Sequence, residues 1–327
     1  MRRNANCVFR YYAIRHLPFP ICYMPTRVRV IVPASTANLG PGFDCLGLAL
    51  AIHNTFEFTT LNAGAGLQIE IEGESKEKLK TDTGNLGIQA ANAVWESLGQ
   101  APLALKIKMT NNIPLGSGMG SSASAIVGGL VAANALAGGL LTRSDLLRMA
   151  TKIEGHPDNV AAALFGGLTI VSHANEELMH TSLDVPPMKV AIALPNIKLS
   201  TADARATLPK QVPFADAVFN MGRTAFVIQA LQKGDYDLLS WAMTDKLHQP
   251  YRKKLITGFD DVVNAARRVG ARAVALSGAG PSIAAFAPEH HWEIAEAMKK
   301  AFEANGVACR TFVLPVDRQG VQINVSG

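Results

Sequence analysis

The chain is short of cysteine. It has four cysteines in 327 residues, and two of them, Cys7 and Cys22, fall in the first 23 residues. The other two, Cys45 and Cys309, belong to no Cys-x-x-Cys motif and have no paired histidine nearby in the sequence. Neither a disulfide framework nor a zinc site is therefore indicated. This cysteine usage fits a reducing compartment, and a cytoplasmic location is predicted.

Long apolar runs are also missing. No run reaches the roughly 20 residues that a membrane-spanning helix needs. The longest candidate, residues 121–141, is interrupted by four glycines and one asparagine. This pattern predicts a helix buried inside the protein, and we expect no membrane partner.

Acidic residues are absent from the first 23 positions, which carry four arginines. Without this segment, 27 basic residues face 26 acidic ones, so no basic face for nucleic acid is expected. The segment lacks the serine content of a transit peptide and the apolar run of a signal peptide. Residues 1–23 are predicted to be an extension that is disordered or not translated, with Met24 as the alternative start.

The rest of the chain mixes strand and helix patterns without strict βαβ repetition. Residues 28–35 alternate as a strand does, and Thr142 with Asp145 has the spacing of a capping box at a helix start. A polar and then proline-rich stretch at 176–187 is typical of a domain boundary. We predict an α+β fold with an N-terminal domain over 24–180 and a C-terminal domain over 181–327.

The run IPLGSGMGSSASAIVGGL (113–130) places small residues between a predicted strand and a predicted helix. Glycines allow the backbone N–H groups to converge, and a helix N-terminus adds the positive end of its dipole. The run therefore predicts a phosphate-binding loop, although it is neither a Walker A loop nor a GxGxxG fingerprint. A flexible Gly/Ser linker is the alternative, which the helix-forming residues 121–136 disfavour.

Two further segments carry polar groups suited to chemistry. In IEGHPDNVAAALFGG (153–167), four polar side chains precede an apolar segment that we predict to be a strand. A carboxylate near a nucleotide phosphate commonly binds Mg²⁺ together with a hydroxyl, whereas the alternative is a helix cap made by Asp158 or Asn159. The run SGAGPS (277–282) is either a backbone wall over a phosphate or an ordinary tight turn.

Three motifs stand in order: PASTANLGPGFD (33–44), PLGSGMGSS (114–122) and GAGPS (278–282). Together they resemble the GHMP kinase superfamily over nearly the whole chain from Thr26. The first motif and EGHPDNVAAALFGG resemble its homoserine kinase branch, and the first-motif signatures of the mevalonate, galactose and decarboxylase branches are absent. The resemblance implies a two-lobed GHMP kinase fold, with an N-terminal domain like ribosomal protein S5 and a ferredoxin-like C-terminal αβ domain. It also implies ATP between the lobes and allows a homodimer.

The resemblance implies roles for individual residues. ATP would contact Pro114, Leu115, Gly116, Ser117, Gly118, Met119, Gly120, Ser121, Ser122, Gly278 and Gly280, with Asn85 at the adenine. The acceptor, L-homoserine, would contact Asn38, Asp44, His156, Asn159, Thr201, Arg205 and Arg252. Catalysis would involve Glu154, Asn159, Asp158 and Arg205. Ser122 and Glu154 would hold Mg²⁺.

The chemistry of these side chains suits the implied acceptor. Asp44 suits an ammonium group, and Arg205 with Arg252 suits an α-carboxylate; without the resemblance, both would be interpreted as surface arginines. Asp158 matches the base of mevalonate kinases, although phosphoryl transfer through a loose transition state needs no dedicated base. The implied reaction yields ADP and O-phospho-L-homoserine on the route to threonine. Alternatives are a kinase for another small alcohol, such as mevalonate or shikimate, and a non-catalytic small-molecule sensor.

Overall fold

The computed structural model describes residues 26–174 and 177–326. The predicted extension of residues 1–23, with Cys7 and Cys22, lies outside the described residues, as does Met24. Across the described ranges, no helix combines the length and the apolar character that a membrane span requires.

The first sheet has the strand order β11–β1–β2–β4–β3. A further pair, β5 and β6, is attached through the beginning of β2. Strand β3 pairs in parallel with β4, not with β2, which precedes it in the chain. The strands are β1 (Arg27–Ala37), β2 (Leu46–Thr60), β3 (Leu67–Gly73), β4 (Leu105–Asn111), β5 (Leu168–Ala174), β6 (Glu177–Leu183) and β11 (Gln322–Ser326).

The second sheet has the order β10–β7–β9–β8, and its pairings are antiparallel. Its strands are β7 (Lys189–Pro195), β8 (Ala273–Leu276), β9 (Ile283–Phe286) and β10 (Cys309–Pro315). Numbered within this sheet, the order is 4-1-3-2, with helices before the second and fourth strands. This is the ferredoxin-like arrangement, so the predicted α+β class and the C-terminal architecture are confirmed.

Helices connect the strands and cover the sheets. They are α1 (Leu86–Ser97), α2 (Ser121–Leu136), α3 (Arg143–Glu154), α4 (Asp158–Phe165), α5 (Thr201–Ala206), α6 (Phe214–Lys233), α7 (Tyr236–Ala242), α8 (Gln249–Arg252), α9 (Phe259–Arg268) and α10 (His291–Ala304). The predicted capping box is confirmed at the start of α3, where Thr142 and Asp145 bond each other's backbone N–H groups.

Helix α2 is the predicted buried helix. It is apolar around nearly its whole circumference, because it packs on the first sheet and on neighbouring helices. At Gly129 a side chain would be excluded, since a Cβ there would lie 2.0 Å from the carbonyl oxygen of Gly87 on α1. The two helices therefore approach closely at this point.

The prediction of a strand directly after Asn159 is wrong. Residues 158–165 form α4, and β5 begins only at Leu168. Three successive alanines in this segment favour a helix, and the following Gly166 adopts a φ of 73° that ends it. The polar cluster thus lies between two helices, α3 and α4.

The last strand returns to the first sheet. The division at 180/181 falls within β6, and it groups β11 with the C-terminal domain, yet β11 pairs antiparallel with β1. The physical reason is that the open edge of β1 presents N–H and C=O groups that an incoming strand satisfies. Chain order alone therefore does not assign the last residues to the second sheet.

Candidate active site

A cavity of about 320 Å³ lies where three loops meet. They are the first-motif loop (38–45), the Gly-rich loop (112–120) and the loop after β8 (277–282). The predicted site residues line this cavity with two exceptions, Pro114 and Met119. The Met119 side chain is fully buried in the apolar core, and its carbonyl oxygen accepts a hydrogen bond from the Ser35 N–H. A contribution of these two residues to ATP binding stays a prediction.

The Gly-rich loop has a backbone that only glycine accommodates. Gly118 and Gly120 have φ values of 74° and 71°. A Cβ at Gly118 would lie 2.3 Å from the Ser277 carbonyl oxygen, and one at Gly120 would lie 2.2 Å from Ser35 Oγ. The loop ends directly at α2, whose first N–H groups lack intrahelical partners. Loop and helix end together can bind an anion.

Three serines, Ser117 in the loop and Ser121 and Ser122 at the start of α2, have different partners. Ser117 donates to the Pro114 carbonyl oxygen at 2.7 Å, and Ser121 donates to that of Ile113 at 3.3 Å. The Ser122 hydroxyl instead donates to Glu154 Oε1 at 2.5 Å. Ser117 and Ser121 therefore stabilise the loop, while Ser122 joins the carboxylate at the end of α3.

Ser122 and Glu154 fit the predicted magnesium ion. Both offer oxygen, which Mg²⁺ prefers, and such sites commonly take their other ligands from phosphate and water. Burial raises the pKa of Glu154, and the hydrogen bond from Ser122 opposes this only in part. Among the described residues, no group of three or more His, Cys, Asp and Glu side chains could hold a metal. A single carboxylate beside a nucleotide needs no such group.

The polar cluster at the start of α4 is internally bonded. Asp158 Oδ1 accepts from the Asn159 N–H at 2.8 Å and lies 3.1 Å from His156 Nδ1. Burial acts against the charged form of His156, but Asp158 and Glu154 outweigh it and raise its pKa. Asn159 Oδ1 accepts from Ser35 Oγ at 2.9 Å. Pro157 is the N-cap of α4 and offers no side-chain cap, so of the helix-cap interpretation only the bond from the Asn159 N–H to Asp158 is present. The roles of these residues in a site stay predictions.

The first-motif loop is held in an uncommon conformation. Asn38 and Asp44 have φ values of 70° and 54°, a region that non-glycine residues rarely adopt. Asn38 Oδ1 accepts from the Asp44 N–H at 2.9 Å, and its Nδ2 donates to the Gly278 carbonyl oxygen at 2.8 Å. These bonds aim Asp44 at the cavity and tie the first motif to the loop after β8.

Arg205 and Arg252 both line the cavity, as Asp44 does. Arg205 forms a bidentate ion pair with Asp44, which the sequence did not predict. Arg252 is 1% exposed and makes no ion pair within the described residues. Its nearest acceptors include the carbonyl oxygens of Gly278 and Ala204, at 3.3 and 3.4 Å. Thr201 begins α5, which carries Arg205 across the mouth of the cavity.

Sequence reasoning missed the apolar end of the cavity. This end is lined by Phe56, Leu79, Leu86, Met109 and Ala125. Alternation along β2 and β4 was the available signal, but it does not say which residues of the two strands meet. Asn85 lines this end as predicted, with its amide already engaged: it accepts from the Gly87 N–H and donates to the Lys80 carbonyl oxygen.

Comparisons with known proteins identify the family of this chain. The model "GHMP kinases N terminal domain" matches residues 85–167, and "GHMP kinases C terminal" matches residues 227–304. A homoserine kinase of Prochlorococcus marinus is 43% identical over 307 residues, covering 91% of this chain and 96% of the relative. The chain belongs to the homoserine kinase family.

Further relatives agree with this family assignment. A homoserine kinase of Carboxydothermus hydrogenoformans is 43% identical over 302 residues, covering 92% of this chain and 98% of the relative. The crystal structure of a homoserine kinase from Cytophaga hutchinsonii matches with a TM-score of 0.82 and 34% identity, covering 94% of this chain and all of that one. The GHMP kinase fold and the phosphotransferase class, with ATP as a substrate, are thereby confirmed.

Proposed function

We propose that this protein transfers the γ-phosphoryl group of ATP to the side-chain hydroxyl of L-homoserine, giving ADP and O-phospho-L-homoserine, a step toward threonine. The observation that carries the choice of acceptor is the charge pattern at one end of the cavity. One carboxylate, Asp44, faces two guanidiniums, Arg205 and Arg252. An acceptor with one ammonium and one carboxylate complements that pattern.

The nucleotide would lie along the Gly-rich loop. Loop N–H groups and the N-terminus of α2 are preorganised donors for phosphate oxygens, so they stabilise the charge that spreads over the transferred group. The apolar end of the cavity suits the adenine ring. This placement is supported by the loop geometry, which leaves no room for side chains at Gly118 and Gly120.

Ser122 and Glu154 are the residues that would hold Mg²⁺. When bound, the ion neutralises phosphate charge and polarises the phosphoryl group. Its binding here is supported by the 2.5 Å contact between the two side chains and by the oxygen character of both.

The other residues bind and orient the acceptor. Asp44 would accept from the ammonium group, while Arg205 and Arg252 would donate to the carboxylate. His156, whose Nε2 lies 3.9 Å from Glu154 Oε1, and Asn159 would hold the hydroxyl end of the acceptor. The hydroxyl oxygen would then form the new P–O bond as the bond to ADP breaks, and the hydroxyl proton would pass to a phosphoryl oxygen. Asp158 Oδ1 is bonded to His156 and to the Asn159 N–H, so Asp158 would orient these two neighbours.

The test is ADP release by the purified protein with Mg-ATP and L-homoserine, mevalonate, shikimate or no acceptor. A rate that depends on L-homoserine alone is expected. A rate with mevalonate or shikimate instead would assign the protein to another small alcohol. ATP binding without any acceptor-dependent rate would favour the sensor.

A further inference from the structure

His248 is a buried imidazole that no motif singled out. It directly precedes α8 and is 0% exposed. Its Nε2 lies 2.7 Å from the Gly40 carbonyl oxygen, and its Nδ1 lies 3.5 Å from Arg252 Nη1. The imidazole thus lies between the first-motif loop and the buried arginine.

These contacts determine where the proton of the neutral ring sits. A carbonyl oxygen only accepts, so Nε2 carries the hydrogen and donates it to Gly40. A guanidinium only donates, so the lone pair of Nδ1 faces Arg252. Burial lowers the pKa of His248, in keeping with a neutral ring.

Some of the charged groups around the ring favour its protonation and others oppose it. Asp245 Oδ2, from the connection between α7 and α8, lies 3.5 Å from Nε2. Asp44, on the first-motif loop, also favours the charged ring, whereas Arg252 on α8 opposes it. The Phe43 ring packs against the imidazole, with 5.2 Å between the ring centroids, and also against the Arg205 guanidinium. The Asp245 carboxylate is already bonded to the N–H groups of residues 247–249.

Arg252 depends on these neutral neighbours for its orientation. Its protein acceptors are two carbonyl oxygens and the imidazole, at 3.3 to 3.5 Å, and its guanidinium lies 5.0 Å from the centre of the Phe43 ring. A buried guanidinium held this loosely is sensitive to the loss of one acceptor. Protonation of the His248 ring would displace the guanidinium more strongly, because two cations would then be in van der Waals contact.

We propose that His248 is a positioning residue: its unprotonated Nδ1 holds Arg252 toward the L-homoserine carboxylate, and protonation of Nδ1 weakens acceptor binding by repelling that guanidinium. The inference rests on the proposed function for the identity of the acceptor. It assigns this histidine a role in acceptor affinity and in its dependence on pH.

Two substitutions each remove one of the two hydrogen bonds that the imidazole makes. In His248→Asn, Oδ1 can take the place of Nδ1 and accept from Arg252, while the bond to Gly40 is lost. In His248→Gln, Nε2 can still donate to Gly40, while the acceptor for Arg252 is lost. The exposed His290→Gln is the matched control.

We expect His248→Gln to raise the KM for L-homoserine about five- to tenfold, the loss of roughly one hydrogen bond. Its kcat and its KM for ATP stay within about twofold of the parent values. His248→Asn should keep the parent KM for L-homoserine. It should lack the rise in KM that we expect of the parent at acid pH, which lies below the ordinary histidine value of 6.5 because burial lowers the pKa of His248. The reverse result would be a parent-like KM for L-homoserine in His248→Gln and a raised KM in His248→Asn. It would mean that His248 only holds the first-motif loop through Gly40.

A second readout is independent of turnover. The titration of His248 is followed by NMR in the parent and in Arg252→Gln, with the signal assigned by its absence in His248→Asn. We expect a proton on Nε2 in the parent and an increase in the pKa of His248 once the neighbouring cation is removed. An unchanged pKa would overturn the coupling. If the parent fails to phosphorylate L-homoserine, the proposed function fails, and this titration still decides whether His248 and Arg252 interact.

Discussion

Arg205 donates two hydrogen bonds to Asp44, from Nη1 to Oδ2 at 2.9 Å and from Nη2 to Oδ1 at 2.6 Å. Each side chain of the pair is about one-third exposed, at the mouth of the cavity. The two residues are the ones assigned to opposite charges of the acceptor. In the proposed complex an amino-acid zwitterion would supply one partner for each of them, so that binding would exchange one internal ion pair for two with the ligand.

Asp44→Asn should therefore raise the KM for L-homoserine by about tenfold or more, because the ammonium loses its carboxylate and Arg205 loses its partner. The KM for ATP should change little. Steady-state rates at saturating ATP measure this effect. As a control, Asp216→Asn removes a carboxylate on α6 that pairs with Lys246 and does not line the cavity, and it should behave as the parent does. An unaltered KM in Asp44→Asn would contradict the placement of the ammonium.

Glu154→Gln should lower kcat by at least about tenfold and raise the Mg²⁺ concentration needed for half-maximal rate, because an amide oxygen is a weaker ligand than a carboxylate. Ser122→Ala should act in the same direction. Titration of the rate with Mg²⁺ measures both effects. Glu96→Gln, at an exposed position of α1, is the control. If the Mg²⁺ dependence of Glu154→Gln matches that of the control, Glu154 is not a ligand.

Gly118→Ala should raise the KM for ATP by about tenfold or more, because its Cβ would collide with the carbonyl oxygens of Ser277 and Gly280 and displace the loop. Gly116→Ala is a matched control, since Gly116 also has a positive φ, 62°, but a Cβ there would meet no atom within 4 Å. Steady-state rates at varied ATP concentration give the KM for ATP of the two variants. Equal effects would attribute the change to backbone strain, not to the collision.

Asp317→Ala should lower the free energy of unfolding by about 1–3 kcal/mol. Asp317 accepts from the N–H groups of Gln319 and Gly320 and lies 2.7 Å from His53 Nε2 on β2, so it secures the turn that leads to β11. Urea unfolding of the parent, Asp317→Ala and the exposed Asp184→Ala measures the difference. A decrease in the free energy of unfolding of equal size in both variants would exclude a specific role for Asp317 in the turn.

The same residue predicts a dependence of stability on pH. Burial acts to raise the pKa of Asp317, but His53 and the two N–H groups outweigh burial and lower it. A lowered carboxyl pKa contributes stability above the ordinary value of 3.8, and that contribution is lost as the pH falls further through the folded-state value. The difference between parent and Asp317→Ala should therefore be constant near neutrality and shrink below about pH 4.

Local patterns predicted much of the candidate site. The small residues of 113–130 predicted the phosphate loop, and Thr142 with Asp145 predicted the start of α3, because these signals act within one or two turns of chain. The same reasoning failed after Asn159, where apolar residues suited either a strand or a helix and the alanines decided for the helix. It also did not single out His248, since a lone histidine carries no periodic signal.

The sequence by itself determined the α+β class and the glycine-dependent turns of the Gly-rich loop, because glycine content, capping and alternation are properties of neighbouring residues. Only the tertiary structure decided which distant residues meet. Asp44 and Arg205 are 161 positions apart, Gly40 and His248 are 208 apart, and β11 returns to β1 from the end of the chain. Such contacts depend on how two sheets and their helices pack, and that packing is set by long-range burial and strand pairing, which no local segment encodes.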